Sequence, residues 1–120
     1  MTLREIIEIL HCQVLVKEQD LNAKVKAGCG CDLMSDVLAF VKSGALLLTG
    51  LNNPQAIRTA EMSDIKVICF VRGKQPNEEM MALARESGIT LLATSLPLFE
   101  ACGRLYMKGL VGCSESDEGK

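Results

Sequence analysis

The sequence predicts a three-layer α/β/α domain on a mostly parallel sheet of about five strands. Three observations predict it. From residue 25 onward, strand-like apolar runs alternate four times with amphipathic helical segments. The links between them are short. The runs Ala45-Leu-Leu-Leu-Thr49 and Lys66-Val-Ile-Cys-Phe-Val71 are apolar without alternation, as strands covered on both faces require. The directions of the first two strands stay open, so the sheet is either parallel throughout or mixed.

Each element has a local reason. Thr2-Leu-Arg-Glu5 is a capping box, and Leu3, Ile6, Ile7 and Leu10 follow at helical spacing. Cys12 to Val16 is a strand candidate, Lys17 to Lys24 a polar loop, and Val25 to Cys29 a weaker strand. Asp32 is placed to cap the next helix, with Met34, Val37, Leu38 and Val41 on one face, and Ser43-Gly44 ends it. Ala45 to Thr49 is the next strand. Asn53-Pro54 then opens a helix with a cap and a first-turn proline, burying Ala56, Ile57 and Ala60. After the strand Lys66 to Val71 and the turn at Arg72 to Pro76, Asn77 caps a helix that runs to Ser87 and ends at Gly88. Ile89 to Ala93 is a short strand. Thr94-Ser95 leads into a last helix with Leu98, Ala101, Cys102, Leu105 and Tyr106 in register, stopped by Gly109.

The chain has 120 residues, 48% of them hydrophobic and 3% aromatic, which suits one domain with a core of its own. Its net charge of −2 is local. Residues 1–113 carry 12 basic and 12 acidic side chains, so the excess lies in Ser114 to Lys120. Residues 1–113 are therefore expected to form a single domain and 114–120 a disordered acidic tail. A balanced body argues against a nucleic-acid partner. No apolar run approaches the length of a membrane span, and Glu5 and Glu8 spoil a signal-peptide reading of Met1 to Leu10. The expectation is a cytoplasmic protein with no membrane partner.

Six cysteines invite a disulfide reading, but Cys12, Cys69 and Cys102 sit in apolar strand and helix patterns, where free thiols behave as small hydrophobes. Cys29-Gly30-Cys31 is different: two thiols one residue apart, just before a helix start. They are the alternative metal or redox pair; a subunit interface that brings Cys29 and Cys31 together from two chains is one way to complete a metal site. The other reading is two small residues at a tight junction, with glycine present for its torsion angles.

In a parallel α/β sheet, ligands bind beyond the carboxyl ends of the strands. With all four strands parallel, the loops Cys29 to Ser35, Thr49 to Asn53, Arg72 to Lys74, and Thr94-Ser95 share that edge. Helix N-termini there favour anions. Thr49, Gly50, Asn52, Asn53, Arg58, Arg72, Gly73, Lys74, Thr94 and Ser95 are the candidate ligand-binding residues, for a nucleotide-like or other phosphate-containing anion. The competing reading makes Thr49, Asn53 and Ser95 helix caps and Arg72 and Lys74 solvated charges. Classical catalysis finds little support. Any Ser-His-Asp or Cys-His arrangement needs the one histidine, His11, which reads as structural beside a strand start. Asp36, Glu78 and Glu79 read as solvent-facing or dipole-favoured acids, and the six methionines as core filler. No complete catalytic constellation is visible, no cofactor is called for, and there is no phosphate-binding Gly-x-x-x-x-Gly-Lys-Ser/Thr loop.

The stretches Ser43 to Met62, Ile65 to Pro76 and Leu91 to Glu100 together resemble the DRTGG domain family, and the similarity runs over residues 3–110. The resemblance is greatest to stand-alone, single-domain members. It implies a fold like the N-terminal domain of HPr kinase/phosphorylase and a regulatory rather than catalytic role. Members of the family occur beside CBS domains in pyrophosphatases, near a bound diadenosine polyphosphate, and commonly pack as dimers. Stand-alone copies are associated with iron–sulfur hydrogenase systems. This chain departs from the family's name at two turns: Asn52-Asn53 replaces an Asp-Arg, and Arg72-Gly73-Lys74 stands where Thr-Gly-Gly is usual. The expected function is a non-catalytic regulatory and interaction domain. It is expected to be a homodimer that binds an anionic small molecule and a partner protein such as a redox or metabolic enzyme. The alternative is a redox- or metal-linked accessory protein using Cys29 and Cys31.

Overall fold

The computed structural model describes residues 1–115. Thr2 caps α1 (Leu3–Leu10) as expected: its hydroxyl oxygen accepts the Glu5 N–H at 3.2 Å, and Glu5 Oε1 accepts the Thr2 N–H at 2.9 Å. His11 closes the helix in the left-handed conformation (φ 52°) and leads into β1 (Gln13–Val16). Then follow β2 (Ala27–Gly30), α2 (Met34–Phe40), β3 (Ala45–Thr49), α3 (Pro54–Met62), β4 (Val67–Phe70), α4 (Glu78–Ser87), β5 (Thr90–Ala93), α5 (Leu98–Met107) and a 3-10 turn at Cys113–Glu115. Asn53 and Asn77 cap α3 and α4, each accepting a backbone N–H at 2.9 Å, and Gly88 ends α4 with φ 71°.

The sheet order is β1-β5-β4-β3-β2. β2 to β5 are parallel, and β1 joins the edge of β5 antiparallel, so the sheet is mixed. Because β2 to β5 lie side by side in chain order, every crossover runs the same way. The right-handed rule then lays α2, α3 and α4 on one face. Met34, Val37, Ala56, Ile57, Ala60, Met80 and Ala84 pack there on Leu47, Ile68, Phe70 and Leu91. After β5 the chain crosses to the opposite face, where α5 lies beside α1 and over β2 and β3. Leu3, Ile6, Leu10, Ala101 and Leu105 cover Leu46, Leu48, Val67, Cys69 and Leu92. The unbroken apolar runs of β3 and β4 thus serve two layers with alternate residues.

Several expectations need correction. Asp32 does not cap α2: the capping position is Leu33, with no side-chain bond. That helix ends at Phe40, where Val41 turns extended, not at Ser43-Gly44. With only seven residues it buries a narrow stripe, Met34 and Val37, and leaves Leu38 48% exposed. Tyr106, expected on the buried stripe of α5, is also exposed. The second strand starts two residues later than predicted, at Ala27. The polar loop after β1 is pinned by buried Thr90, whose Oγ1 accepts the N–H groups of Glu18 and Gln19 at 3.0 and 2.9 Å. Ser114 and Glu115, assigned from sequence to the tail, belong to the 3-10 turn, and Tyr106 donates its hydroxyl to Glu115 at 2.8 Å. Residues 116–120 of the expected tail lie outside the described residues.

Candidate functional site

Four parallel strands deliver their following loops to one edge of the sheet. Continuing the β2–β3 register, in which Gly30 faces Leu48, sets Asp32 opposite Gly50. Asp32 Oδ1 accepts the Thr49 hydroxyl at 2.8 Å and the Gly50 N–H at 2.7 Å. Thr49 Oγ1 in turn accepts the Leu51 N–H at 3.1 Å. The loops after β4 and β5 are braced to each other. Arg72 N–H donates to Leu96 O and Gly73 N–H to Thr94 O, both at 2.9 Å. These bonds hold Arg72 at φ 57°, a left-handed conformation uncommon for a residue other than glycine. Asn52 Nδ2 reaches Gln75 O at 3.1 Å and ties the β3 loop to the β4 loop.

The charged groups converge on Gly50. A Cβ placed there would lie 3.4 Å from Arg72 Nη2 and 3.7 Å from both carboxylate oxygens of Asp32. The bare backbone lets a guanidinium and a carboxylate close over one peptide. Arg72, Gly73 and Lys74 are exposed.

The structure therefore divides the predicted ligand-binding residues. Gly50, Asn52, Arg72, Gly73 and Lys74 share the edge, and Asn52 is exposed beside them. Thr49 is buried and bound to Asp32. Thr94 is buried and donates to Leu10 O at 2.8 Å, which fastens the end of α1 to the sheet. Asn53 is occupied as the α3 cap. Ser95 is exposed at the start of its loop. Arg58 is exposed on α3, and among the described residues no side-chain hydrogen bond or ion pair joins it to the loops. Sequence reasoning missed Asp32 as the clamp of this edge, reading it as a helix cap. The signal that would reveal it is the strand register, which is not a local property.

The Cys-Gly-Cys segment has a packing explanation. A Cβ at Gly30 would sit 2.5 Å from Cys102 Sγ, and one at Gly28 would sit 3.2 Å from Leu110 Cδ2. The glycines of β2 admit α5 and the segment after it; no left-handed torsion is involved at either. Cys29 packs against the α2–α4 layer, and burial, with the thiols of Cys113, Cys31 and Cys102 nearby, pushes it up to about 11. Cys31 Sγ donates to Leu33 O at 3.4 Å. Among the described residues, no group of three or more His, Cys, Asp or Glu is arranged to hold a metal. Beside Gly28 and Gly30, an apolar groove of about 370 Å³ opens between β2 and α5, walled by Phe99, Cys102, Tyr106 and Leu110.

A mixed α/β/α sandwich with a loop-built polar edge is a recurrent small-domain class rather than a catalytic signature. Within that class, the DRTGG domain model matches residues 5–106, and the chain belongs to the DRTGG domain family. Its fold is similar to a crystal structure of the CBS and DRTGG domains of the regulatory region of Clostridium perfringens pyrophosphatase, complexed with the activator diadenosine tetraphosphate. That match has a TM-score of 0.76 at 16% sequence identity and covers 96% of this chain. The chain spans half the length of that structure, 50%. No curated protein matches the sequence. Among the described residues, no helix is long and apolar enough to cross a membrane.

Proposed function

We propose that this is a regulatory, non-catalytic domain that binds a nucleotide-like anion at the Gly50–Arg72 edge. The observation that carries this reading is Arg72. Two backbone bonds hold it in a strained conformation, with its guanidinium over bare backbone. Strain of that kind is retained where the surroundings over-determine it, often at ligand clamps. Exposed Lys74 adds a second cation, and Asp32 orients the adjoining loop. The diadenosine tetraphosphate bound by the structural neighbour supports the ligand class. Calorimetric titration with diadenosine tetraphosphate, ATP and inorganic phosphate tests it. Wild type binds one of the nucleotides, and Arg72→Gln weakens that binding about tenfold or more, as loss of a charge-assisted contact implies. Absence of heat with all three at millimolar concentration refutes the reading.

The domain acts as a homodimer through α5. Phe99, Gly103, Tyr106 and Met107 line one helical face, with Phe99 and Met107 88% and 87% exposed. A stripe of that size beside an apolar groove supports a protein contact, and Gly103 lets a second helix approach closely. Sedimentation velocity distinguishes a dimeric wild type from a monomeric Phe99→Glu variant; a monomeric wild type overturns this reading. Free thiols throughout the described residues suit a cytoplasmic setting.

A further inference from the structure

Cys12 and Cys69 touch. Their Sγ atoms stand 3.8 Å apart, although 57 positions separate them in the chain. The topology brings this about. Cys12 follows the left-handed cap of α1, and its N–H is held by Ile7 O at 3.0 Å. Thr94 Oγ1 holds Leu10 O, so the end of α1 is fastened over the sheet. Cys69, within β4, faces the same α1/α5 layer. The two thiols are unequal. Cys69 is wholly buried, whereas Cys12 is only partly so. The hydrogen bond between them brings Cys12 down from the ordinary thiol range, while that bond and burial push Cys69 up.

We propose that Cys12 and Cys69 form a redox-active dithiol, with Cys12 the attacking and Cys69 the resolving thiol, which closes to an intramolecular disulfide on reaction with a small-molecule disulfide. The Cys12 thiolate, its proton released to water, attacks one sulfur of the oxidant. The oxidant's S–S bond breaks, and the first small thiolate leaves and is protonated by water. The mixed disulfide on Cys12 is then attacked by the Cys69 sulfur. The Cys69 proton passes to the second departing thiolate. Two protein thiols are oxidised and one small disulfide is reduced to two thiols. The sulfurs close from 3.8 Å to about 2.05 Å. Cys12, between a helix cap and a strand start, supplies that movement. The bond joins the end of α1 to β4, three residues before Arg72.

The test uses the full chain, reduced and then incubated with oxidised glutathione. Free thiols are alkylated after denaturation and mapped by mass spectrometry. Wild type is expected to lose two of its six thiols, with the Cys12 peptide linked to the Cys69 peptide and both restored by dithiothreitol. Cys69→Ala is expected to stop at a glutathione adduct on Cys12, and Cys12→Ala to leave Cys69 unmodified. Wild type alone decides the matter where a variant folds poorly. Six surviving thiols, a stable adduct on wild-type Cys12 without closure, or a link between any other pair overturns the proposal.

Discussion

Asp32 clamps Thr49 across the ends of two neighbouring parallel strands, with Oδ1 2.8 Å from the hydroxyl. The same oxygen takes the Gly50 N–H at 2.7 Å, so one carboxylate sets the start of the β3 loop. Removing it strands a hydroxyl that is wholly buried. Asp32→Ala is therefore expected to cost about 1–2 kcal/mol in urea unfolding, and Asp32→Asn, which keeps an acceptor, less. Thr49→Val is expected to cost less in the Asp32→Ala background than in wild type, because the shared bond is already gone and only the Leu51 N–H bond to Thr49 Oγ1 remains to be lost. Additive losses in that double-mutant cycle would remove the clamp from the account.

Gly30 and Cys102 give a packing prediction of opposite kind. A methyl group on Gly30 would lie 2.5 Å from Cys102 Sγ, well inside contact. Gly30→Ala is expected to destabilise by about 1–3 kcal/mol, the range for overpacking a filled interface. Cys102→Ala removes the opposing sulfur and is expected to restore much of that loss. Thermal unfolding of the two single variants and the double variant checks the coupling.

Arg72 is expected to set stability against ligand binding. Its φ of 57° suits glycine better than any branched or long side chain. Arg72→Gly is expected to exceed Arg72→Ala in stability by about 1 kcal/mol, since only glycine relieves the left-handed strain. Both variants are expected to lose the nucleotide. If Arg72→Ala unfolds at the same denaturant concentration as Arg72→Gly, the strain is not there.

The capping box gives a pH dependence with a definite sign. Bonding from the Thr2 N–H, then from its hydroxyl, holds the Glu5 carboxyl below its usual value of 4.5. A carboxyl depressed on folding stabilises the protein above its unfolded pKa and loses that contribution as pH falls through the folded one. Melting temperature is thus expected to decline with acidification below pH 4.5 in wild type, and the decline to be shallower in Glu5→Gln. Gln retains the reciprocal bond without a titrating proton. Parallel acid limbs in the two proteins would assign the slope to other groups. The Asp64 carboxyl, held down by the Ser43 hydroxyl and then by Lys66, gives a slope of the same sign.

Much of the fold was legible because its signals are local. The Thr2–Glu5 box, Asn53-Pro54 and the Asn77 to Gly88 span each complete their hydrogen bonds within a turn or two of the chain. The unbroken apolar run of β3 announced a strand covered on both faces, and its bounds, Ala45 and Thr49, were read from sequence unchanged. The candidate site was legible as a set of loops but not as roles. Thr49, Asn53 and Thr94 looked like ligand groups and are engaged in internal bonds. Asp32 reads as a cap and is a clamp, because its partner Thr49 lies 17 positions away at the end of another strand.

What the sequence determined by itself was therefore the elements, their order and the family. What only the tertiary structure decided was everything that depends on which strand lies beside which. That includes β1 at the antiparallel edge, Arg72 over Gly50, α5 seated on the glycines of β2, and Cys12 against Cys69. Caps and turns draw their energy from neighbours in the chain. Register and layer contacts draw theirs from burying two apolar layers at once, and that condition is met only by the whole domain.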